Sequence, residues 1–253
     1  MPPLDLDEHR AGDRAPPNIL APPCRNCEVG RDIALCAGLS HEEVRKLATV
    51  RAHAQLPANF TLFREGDTAA HLYSVSSGAV KLYKMMPDGR RQITNFLFAG
   101  DLFGLAAEGG YVHTAETVSP SRVCRLAHRK LDSILHELPK LERRLFAMTH
   151  KDLVAAQEQM LLLGRKTARE KVATFLLGLA RGQERQGQAP SPVALPMSRA
   201  DIADYLGLTI ETVSRTFTQL KKEGVIGLPD TGHAVLPHLD VLKRLAEGGG
   251  RLC

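Results

Sequence analysis

The chain of 253 residues contains no tryptophan, no long apolar segment and no short motif of a common enzyme class. No apolar run approaches the roughly 18 residues that a membrane-spanning helix needs, and the charged, proline-rich N-terminus lacks the apolar centre of a secretory signal. A P-loop, a dinucleotide-binding glycine pattern, a nucleophile elbow and a paired-histidine zinc helix are all missing. We therefore expect a cytoplasmic protein that is not an enzyme and has no membrane partner.

The net charge is only +5, because 28 Asp and Glu nearly balance 33 Lys and Arg. Such a small excess favours an anionic partner without identifying one. A basic binding surface must therefore come from where the cations are placed in the fold.

Residues 198–224 predict two short helices joined by a glycine turn. Ser198 and Asp201 are spaced as a capping box for the first helix, and Gly207 is suited to a left-handed C-cap. Thr209 can cap the second helix. On that second helix four apolar residues recur at helical spacing and should face inward: Ile210, Val213, Phe217 and Leu220.

Three polar residues share the opposite face of the second helix: Glu211, Ser214 and Arg215. Arginine matches the paired acceptors of guanine, and glutamate can accept from the amino group of cytosine. We therefore predict a recognition helix that reads double-stranded DNA in the major groove. We assign further DNA contacts to six flanking residues: Ser198, Arg199, Thr209, Thr212, Lys221 and Lys222. The alternatives are a surface hairpin with ordinary charges and, for the two lysines, an interaction with the helix dipole.

Outside residues 198–224, the spacing of the apolar residues changes from one segment of the chain to the next. Ser40 can cap a short amphipathic helix at 39–50, and alternating segments with turn signals at about 53–128 predict an antiparallel barrel or sandwich. The period is then helical to about residue 180, and a hairpin after Gly224 would make the DNA module winged. The predicted fold class is α+β, in four parts: a disordered tail at 1–23, a cysteine loop and effector-type β-barrel at 24–129, a dimerisation helix region at 130–181, and a winged helix-turn-helix domain at 182–253.

The predicted long helix carries a seam with coiled-coil spacing. Its members are Thr149, Leu153, Ala156, Met160, Leu163 and Thr167, and the first five of them are the predicted dimer contacts. A seam of this length predicts pairing with a second copy. The alternative is a helix that lies on its own barrel.

Three of the five cysteines, Cys24, Cys27 and Cys36, fall within thirteen residues, and Cys124 is predicted at the end of a strand. Thiolates bind soft or borderline metals, and four of them satisfy either tetrahedral zinc or an iron–sulfur cluster. A second C-x-x-C pair, which a zinc ribbon would show, is missing. The spacing therefore favours a metal site without deciding which metal.

Residues 24–247 resemble the Crp/Fnr superfamily of transcription regulators. The segments FREGD, LYSVSSGAVKLY and FAGDLFG look like its effector barrel, a cyclic-nucleotide-binding-like jelly roll, and ADIADYLGLTIETVSR looks like its DNA module. The cysteines are similar to those of the Fnr branch, whose members sense oxygen with a [4Fe–4S] cluster. The resemblance implies four cluster ligands: Cys24, Cys27, Cys36 and Cys124.

The resemblance further implies a homodimeric activator whose cluster promotes dimerisation under low oxygen and is destroyed by oxygen. It implies that Glu211, Ser214 and Arg215 read TTGAT-like half-sites in an inverted repeat. It also implies RNA polymerase as a partner. The loop at 84–91 could touch the polymerase, but we favour the alternative, a solvated hairpin turn. Some relatives are expected to carry an acidic side chain where this seam has uncharged Ala156, so the resemblance also implies a comparatively robust dimer. Cyclic-nucleotide members clamp a phosphate with an Arg-Ser or Arg-Thr pair where this chain has His113 and Thr114, so we do not expect cyclic AMP to bind.

Three other readings of the chain remain open. A haem-based gas sensor would use a barrel histidine such as His71, His113 or His128. A zinc-stabilised regulator would keep the DNA module and be indifferent to air. An iron–sulfur oxidoreductase would need a substrate pocket and a redox partner, for which the sequence has no motif.

Overall fold

The computed structural model describes residues 19–20, 35–107 and 109–249. The strands there are β1 (Ile19–Leu20), β2 (Arg51–Leu56), β3 (Thr61–Phe63), β4 (His71–Ser77), β5 (Val80–Met85), β6 (Arg91–Leu97), β7 (Leu102–Phe103), β8 (Ala106–Ala107), β9 (Gly110–Tyr111), β10 (Thr114–Thr117), β11 (Ser121–Ala127), β12 (Val193–Ala194) and β13 (His233–Ala234). The helices are α1 (His41–Ala48), α2 (His128–Glu137), α3 (Pro139–Arg165), α4 (Ala168–Arg185), α5 (Arg199–Leu206), α6 (Ile210–Lys222) and α7 (Leu239–Ala246).

Two antiparallel sheets face each other in the N-terminal half. One has the strand order β1-β2-β11-β4-β7, and the other has the order β3-β10-β5-β6. Aliphatic side chains and a group of stacked rings fill the space between them, with the Phe63 and Tyr111 ring centroids 3.7 Å apart. This jelly roll, followed by a long helix and a helix-turn-helix, confirms the predicted α+β fold class.

The first short strand departs from the sequence prediction. Ile19 pairs with Ala54 and Leu20 pairs with His53, so β1 extends the edge of the five-stranded sheet. The disordered tail predicted at 1–23 is therefore wrong at these two residues, because the edge of β2 offers backbone groups that an extended segment satisfies. Residues 1–18 and 21–23 of that predicted tail lie outside the described residues.

The helical region predicted at 130–181 is divided into three helices. Pro139 begins α3, at a position where its missing N–H costs no hydrogen bond. After α3 ends, Thr167 accepts a hydrogen bond from the backbone N–H of Glu170, whose side chain bonds back, and this capping box begins α4. Helix α4 packs with α6 and α7, so it contributes to the core of the DNA module.

The C-terminal module has the predicted wing. Strand β12 pairs with β13, and Gly227 pairs with Val235 across the hairpin. Asp230 closes the turn by accepting a hydrogen bond from the backbone N–H of Gly232. Helix α1 begins after Ser40, the predicted cap, and Glu43 completes a capping box with it. None of the helices in the described ranges has the length and apolar character needed to cross a bilayer.

Two carboxyl groups approach each other where the turn before β7 meets α3. Burial raises the pKa of Asp101, and burial together with the charge of Asp101 raises the pKa of Asp152 to about 6. Lys151 Nζ lies 3.9 Å from Asp101 Oδ1 and offsets part of this repulsion. The folded protein therefore holds a proton on Asp152 at pH values where the unfolded chain has lost it.

We expect Asp152→Asn to stabilise the protein at pH 7.5, by up to about 1 kcal/mol because the site is partly solvated. The pKa of the Asp152 carboxyl is higher in the folded protein than in the unfolded chain. Its contribution to the free energy of unfolding is therefore complete at pH values below the unfolded pKa, and it is lost as the pH rises through the folded pKa. The stability difference between variant and wild type should therefore vanish below about pH 4. Urea unfolding at both pH values measures it, with Asp132→Asn on α2 as control. An equal difference at both pH values would contradict this explanation.

Candidate DNA-binding interface and cysteine face

The predicted helix-turn-helix is formed by α5 and α6. Ser198 and Asp201 make the capping box, Gly207 ends α5 with φ of 60°, and the Thr209 side chain accepts from the backbone N–H of Thr212. A left-handed conformation suits glycine because a Cβ there is strained, and a Cβ on Gly207 would also lie 3.2 Å from Leu163. These local predictions are confirmed.

Three of the four residues that we predict to face inward on α6 do so. Val213, Phe217 and Leu220 are fully buried, whereas 48% of the Ile210 surface is exposed. The prediction that Ile210 faces the core is therefore wrong. Ile210 is the first residue of the helix, and the buried residues of α6 begin one turn later, at Val213.

The predicted reading face of α6 points to solvent. Glu211, Ser214 and Arg215 are all exposed, on the side opposite the buried stripe. Hydrogen bonds from its own backbone N–H and from Thr209 lower the pKa of Glu211, so its carboxylate is ionised and can accept hydrogen bonds. This end of the helix therefore presents an acceptor and a cation side by side.

The six flanking residues have different surroundings. The Ser198 hydroxyl donates to Asp201 Oδ2 at 2.9 Å, and the Arg199 guanidinium lies 3.8 Å from the centre of the Phe217 ring. Thr209 is occupied in capping α6 and lies 3.1 Å from the Thr212 hydroxyl. Two exposed lysines lie in the last turn of α6: Lys221 and Lys222. That these residues contact DNA stays a prediction.

Helix α3 carries an uncovered apolar stripe along the predicted seam. Phe146, Leu153 and Met160 recur every seven residues and are 75%, 58% and 66% exposed. Thr149 and Ala156 lie between them and are also exposed. The sequence analysis missed Phe146, which could have been found by extending the heptad one step before Leu153.

Two predicted members of the seam have other surroundings. Thr167 lies beyond the end of α3 and caps α4, so its assignment to the seam is wrong. Leu163 lies within α3 but does not join the uncovered stripe. It is half-buried and packs against the core of the DNA module, beside Gly207. This side chain therefore joins α3 to the helix-turn-helix of its own chain.

Cys124 lies in a row of residues that crosses the whole five-stranded sheet. The register places His53 of β2 on one side of it and Ser74 of β4 on the other, and it continues to Leu20 and Leu102 at the ends of the row. Cys124 is in the middle of β11 and not at the strand end that we predict, because β11 continues to Ala127.

The face around Cys124 is apolar and packs under the helices. Cys124 is 7% exposed and belongs to a cluster with Leu35, Leu126 and Leu131, and half-buried Cys36 packs against the same cluster. Neither cysteine forms a disulfide with another described residue. Two predicted ligands, Cys24 and Cys27, lie outside the described residues. Within the described ranges, no three acidic, histidine or cysteine side chains are grouped as a metal site.

His53 introduces a polar atom beside Cys124. Its Nε2 atom is buried and has no hydrogen-bond partner among the described residues. Burial, together with the charge of Arg51, lowers the pKa of His53. A buried polar atom without a partner is costly, so this position favours a group that exchanges a hydrogen bond with the ring.

A separate cavity of about 280 Å³ lies between the barrel and α3. Its lining is mainly apolar and includes Phe63, Tyr111, His113 and Ala156. Burial lowers the pKa of His113. None of the described lining residues is Arg or Lys, so they include no cationic fork for a phosphate. That cyclic AMP does not bind stays a prediction.

A jelly-roll barrel, a long helix with an uncovered seam and a winged helix-turn-helix define a two-module DNA-binding regulator. A family model described as a cyclic nucleotide-binding domain matches residues 53–137, and one described as a Crp-like helix-turn-helix domain matches residues 170–245. The chain belongs to the Crp/Fnr family of transcription regulators, which are not enzymes.

Several relatives support this assignment. The chain is 40% identical over 213 residues to the nitrogen fixation regulation protein FixK of Bradyrhizobium diazoefficiens, covering 84% of this chain and 90% of the relative. It is 35% identical over 230 residues to the transcriptional activator protein FnrL of Cereibacter sphaeroides, covering 89% and 92%. The structure of FixK2 from Bradyrhizobium japonicum aligns with a TM-score of 0.72 at 39% identity, covering 78% of this chain and 97% of that one. This chain is a Crp/Fnr-type transcriptional activator, and Crp-like helix-turn-helix regulators bind DNA as dimers.

We expect Arg215→Ala to weaken binding to a specific operator by about 1–3 kcal/mol and to relax selection at one base pair, because a bidentate contact to guanine is lost. Fluorescence anisotropy with operator variants measures both effects. Arg181→Ala, an exposed arginine of α4 away from the reading face, is the control. An equal loss on operator and random DNA would assign Arg215 to phosphate contact instead.

Proposed function

We propose that this protein is a homodimeric, oxygen-responsive transcription activator of the cytoplasm. A [4Fe–4S] cluster promotes dimerisation and binding to TTGAT-N4-ATCAA-like inverted repeats under low oxygen, and oxygen destroys the cluster and releases the DNA. The proposed ligands are Cys24, Cys27, Cys36 and Cys124. The observation that carries the proposal is the cross-strand row that brings the N-terminal segment beside Cys124.

Chain geometry supports the ligand set. Leu20 lies opposite His53, which lies opposite Cys124, so two strand spacings of about 4.8 Å separate Leu20 from Cys124. Four further residues, which span at most about 14 Å, lead from Leu20 to Cys24. Cys36 already packs against the cluster that contains Cys124. The sequence positions of all four cysteines are therefore compatible with one centre.

The residues at this face also fit the chemistry of an iron–sulfur cluster. Thiolates are its ligands, and hydrogen bonds to sulfur together with solvent exposure set its potential. The Nε2 atom of His53, which has no hydrogen-bond partner in the described part of the chain, and the hydroxyl of Ser74 lie in the row beside Cys124. The surrounding leucines limit access of water. When bound, the cluster would supply an oxygen-labile link between the N-terminal loop and the barrel.

A continuous core connects Cys124 to the dimerisation helix. The apolar cluster that contains Cys124 also contains Ile134 of α2 and Leu141 of α3, and Leu145 and Met148 pack on its edge. Phe146, the first exposed residue of the seam, is in the same turn of α3. We infer that ligation of Cys124 orders this turn and so favours pairing of α3 with a second copy.

Pairing would place two copies of α6 about 34 Å apart, one turn of DNA, as an inverted repeat requires.

RNA polymerase is the other proposed partner, and the loop at 84–91 is its proposed contact. In this loop Lys84 pairs with Glu65, whereas Met85 and Met86 are 53% and 44% exposed. The tip of this hairpin is therefore the part that we propose contacts the polymerase.

Anaerobic reconstitution with iron and sulfide tests the cluster directly. We expect about four iron and four labile sulfide atoms per wild-type chain, and a marked loss in Cys124→Ser because one ligand is removed. Cys253→Ser is the matched control and should keep the full content. Bound zinc, or an iron content unchanged by Cys124→Ser, would contradict the proposed site.

The dimer seam has a separate test. We expect Leu153→Glu to raise the dimer dissociation constant at least about 100-fold, equivalent to about 2.7 kcal/mol, because it places two carboxylates in an apolar contact. Analytical ultracentrifugation of the reconstituted protein measures the change. Met85→Glu, at a similarly exposed residue outside α3, is the control. A stable Leu153→Glu dimer would show that copies pair through another surface.

A further inference from the structure

A partly buried ionic cluster joins the barrel to the first helix of the DNA module. Lys81 Nζ lies 3.0 Å from both Glu116 Oε1 and Asp201 Oδ1, and only 6% of the Lys81 side chain is exposed. Arg91 Nη2 lies 2.8 Å from Asp201 Oδ1 and 2.7 Å from Asp204 Oδ2. Strands β5 and β6 therefore supply two cations, which bind the two aspartates of α5.

Two amide side chains hold the other end of α5. Gln92 Nε2 donates to the backbone carbonyl of Asp204 at 2.7 Å, and Gln159 Nε2 donates to that of Tyr205 at 2.9 Å. Gln92 belongs to β6 of the barrel and Gln159 belongs to α3. Helix α5 is thus fixed to the barrel and to the dimerisation helix at the same time.

An aromatic cluster lies beside these polar contacts. The ring of Tyr205 is 5.2 Å from Phe96 of the barrel and 5.8 Å from Phe175 of α4, measured between centroids. The buried core of the DNA module accordingly continues into the barrel through Tyr83, Ile93 and Phe96. The contact is both apolar and ionic.

This docking leaves the reading face of α6 exposed. The docked arrangement is therefore compatible with DNA contact. Since α5 is attached to α3, and α3 would pair with a second copy, the docking contacts set where each α6 lies relative to the dimer axis. One base pair of spacer moves a half-site by about 3.4 Å along the DNA and rotates it by about 35°. A change in the docking should therefore be visible as a change in the spacer that is accepted.

We propose that Lys81, Arg91 and Asp204 are positioning residues for operator recognition, which select the spacing between the two half-sites. They act through α5 and touch no base. The inference rests on the proposed binding of a dimer to an inverted repeat. Charge pairs suit this role because their geometry is specific, and removing one partner leaves an uncompensated charge in a partly buried site.

The test compares full-length, anaerobically purified protein on inverted repeats with three-, four- and five-base-pair spacers, and on a single half-site. The variants are Arg91→Gln and Asp204→Asn. The matched control is Arg90→Gln, because Arg90 is 77% exposed and pairs with Asp88 within its own turn. Ultracentrifugation and thermal unfolding check that each variant is folded and dimeric.

We expect both variants to lose about tenfold in affinity at the four-base-pair spacer, equivalent to about 1.4 kcal/mol. Binding to the single half-site should stay as in wild type, and discrimination among the three spacers should fall. Unchanged or tighter binding, or an equal loss on the single half-site, would overturn the inference. If wild type itself shows no spacer preference, the proposed inverted-repeat function fails instead.

Discussion

The position of β11 between β2 and β4 is the constraint on which the rest of the molecule depends. Alternation along this strand sends Val123 into the barrel core and Cys124 to the opposite face. A register slip of one residue would exchange the two faces, remove Cys124 from the leucine-rich cluster and place a polar neighbour in the barrel. Pairing with both neighbouring strands over most of its length makes such a slip costly.

Because α2 follows β11 directly, this strand also determines where the helices begin. The face that carries Cys124 is covered by α2 and by the first turns of α3, so packed side chains connect it to the helix that carries the seam. At its other end, α3 contacts α5 through Gln159, and β6 contacts α5 through Arg91. The cysteine face, the seam and the reading helix are thus linked by contiguous contacts, with α3 as the shared element.

Helix caps and turns depend on contacts between residues that are close in sequence, so they could be predicted from the sequence. The cap at Ser40, the capping box at Ser198 and the glycine turn at Gly207 depend only on short-range pairs, and all three were predicted. The same logic applied to Thr167 and Glu170 would have located the break between α3 and α4. The two-residue strand β1 is too short to show any period, which is why it was interpreted as part of a disordered tail.

Features set by distant neighbours could not be predicted in this way. Asp201 was identified from its spacing to Ser198 as a cap, and its pairing with Lys81 depends on a residue 120 positions earlier. The exposure of Ile210 depends on where the covering helices end, which periodicity does not report. The position of Cys124 between His53 and Ser74 likewise follows from the register of three strands, which only the assembled sheet defines.

The most direct measurement admits air to anaerobically reconstituted protein bound to a labelled TTGAT-N4-ATCAA duplex, and records cluster absorbance and DNA anisotropy in the same sample. We expect the absorbance to bleach and the DNA to dissociate together, with release no earlier than bleaching. DNA that stays bound after the absorbance has gone, or binding that needs no cluster at the outset, would contradict control of DNA binding by an oxygen-labile cluster.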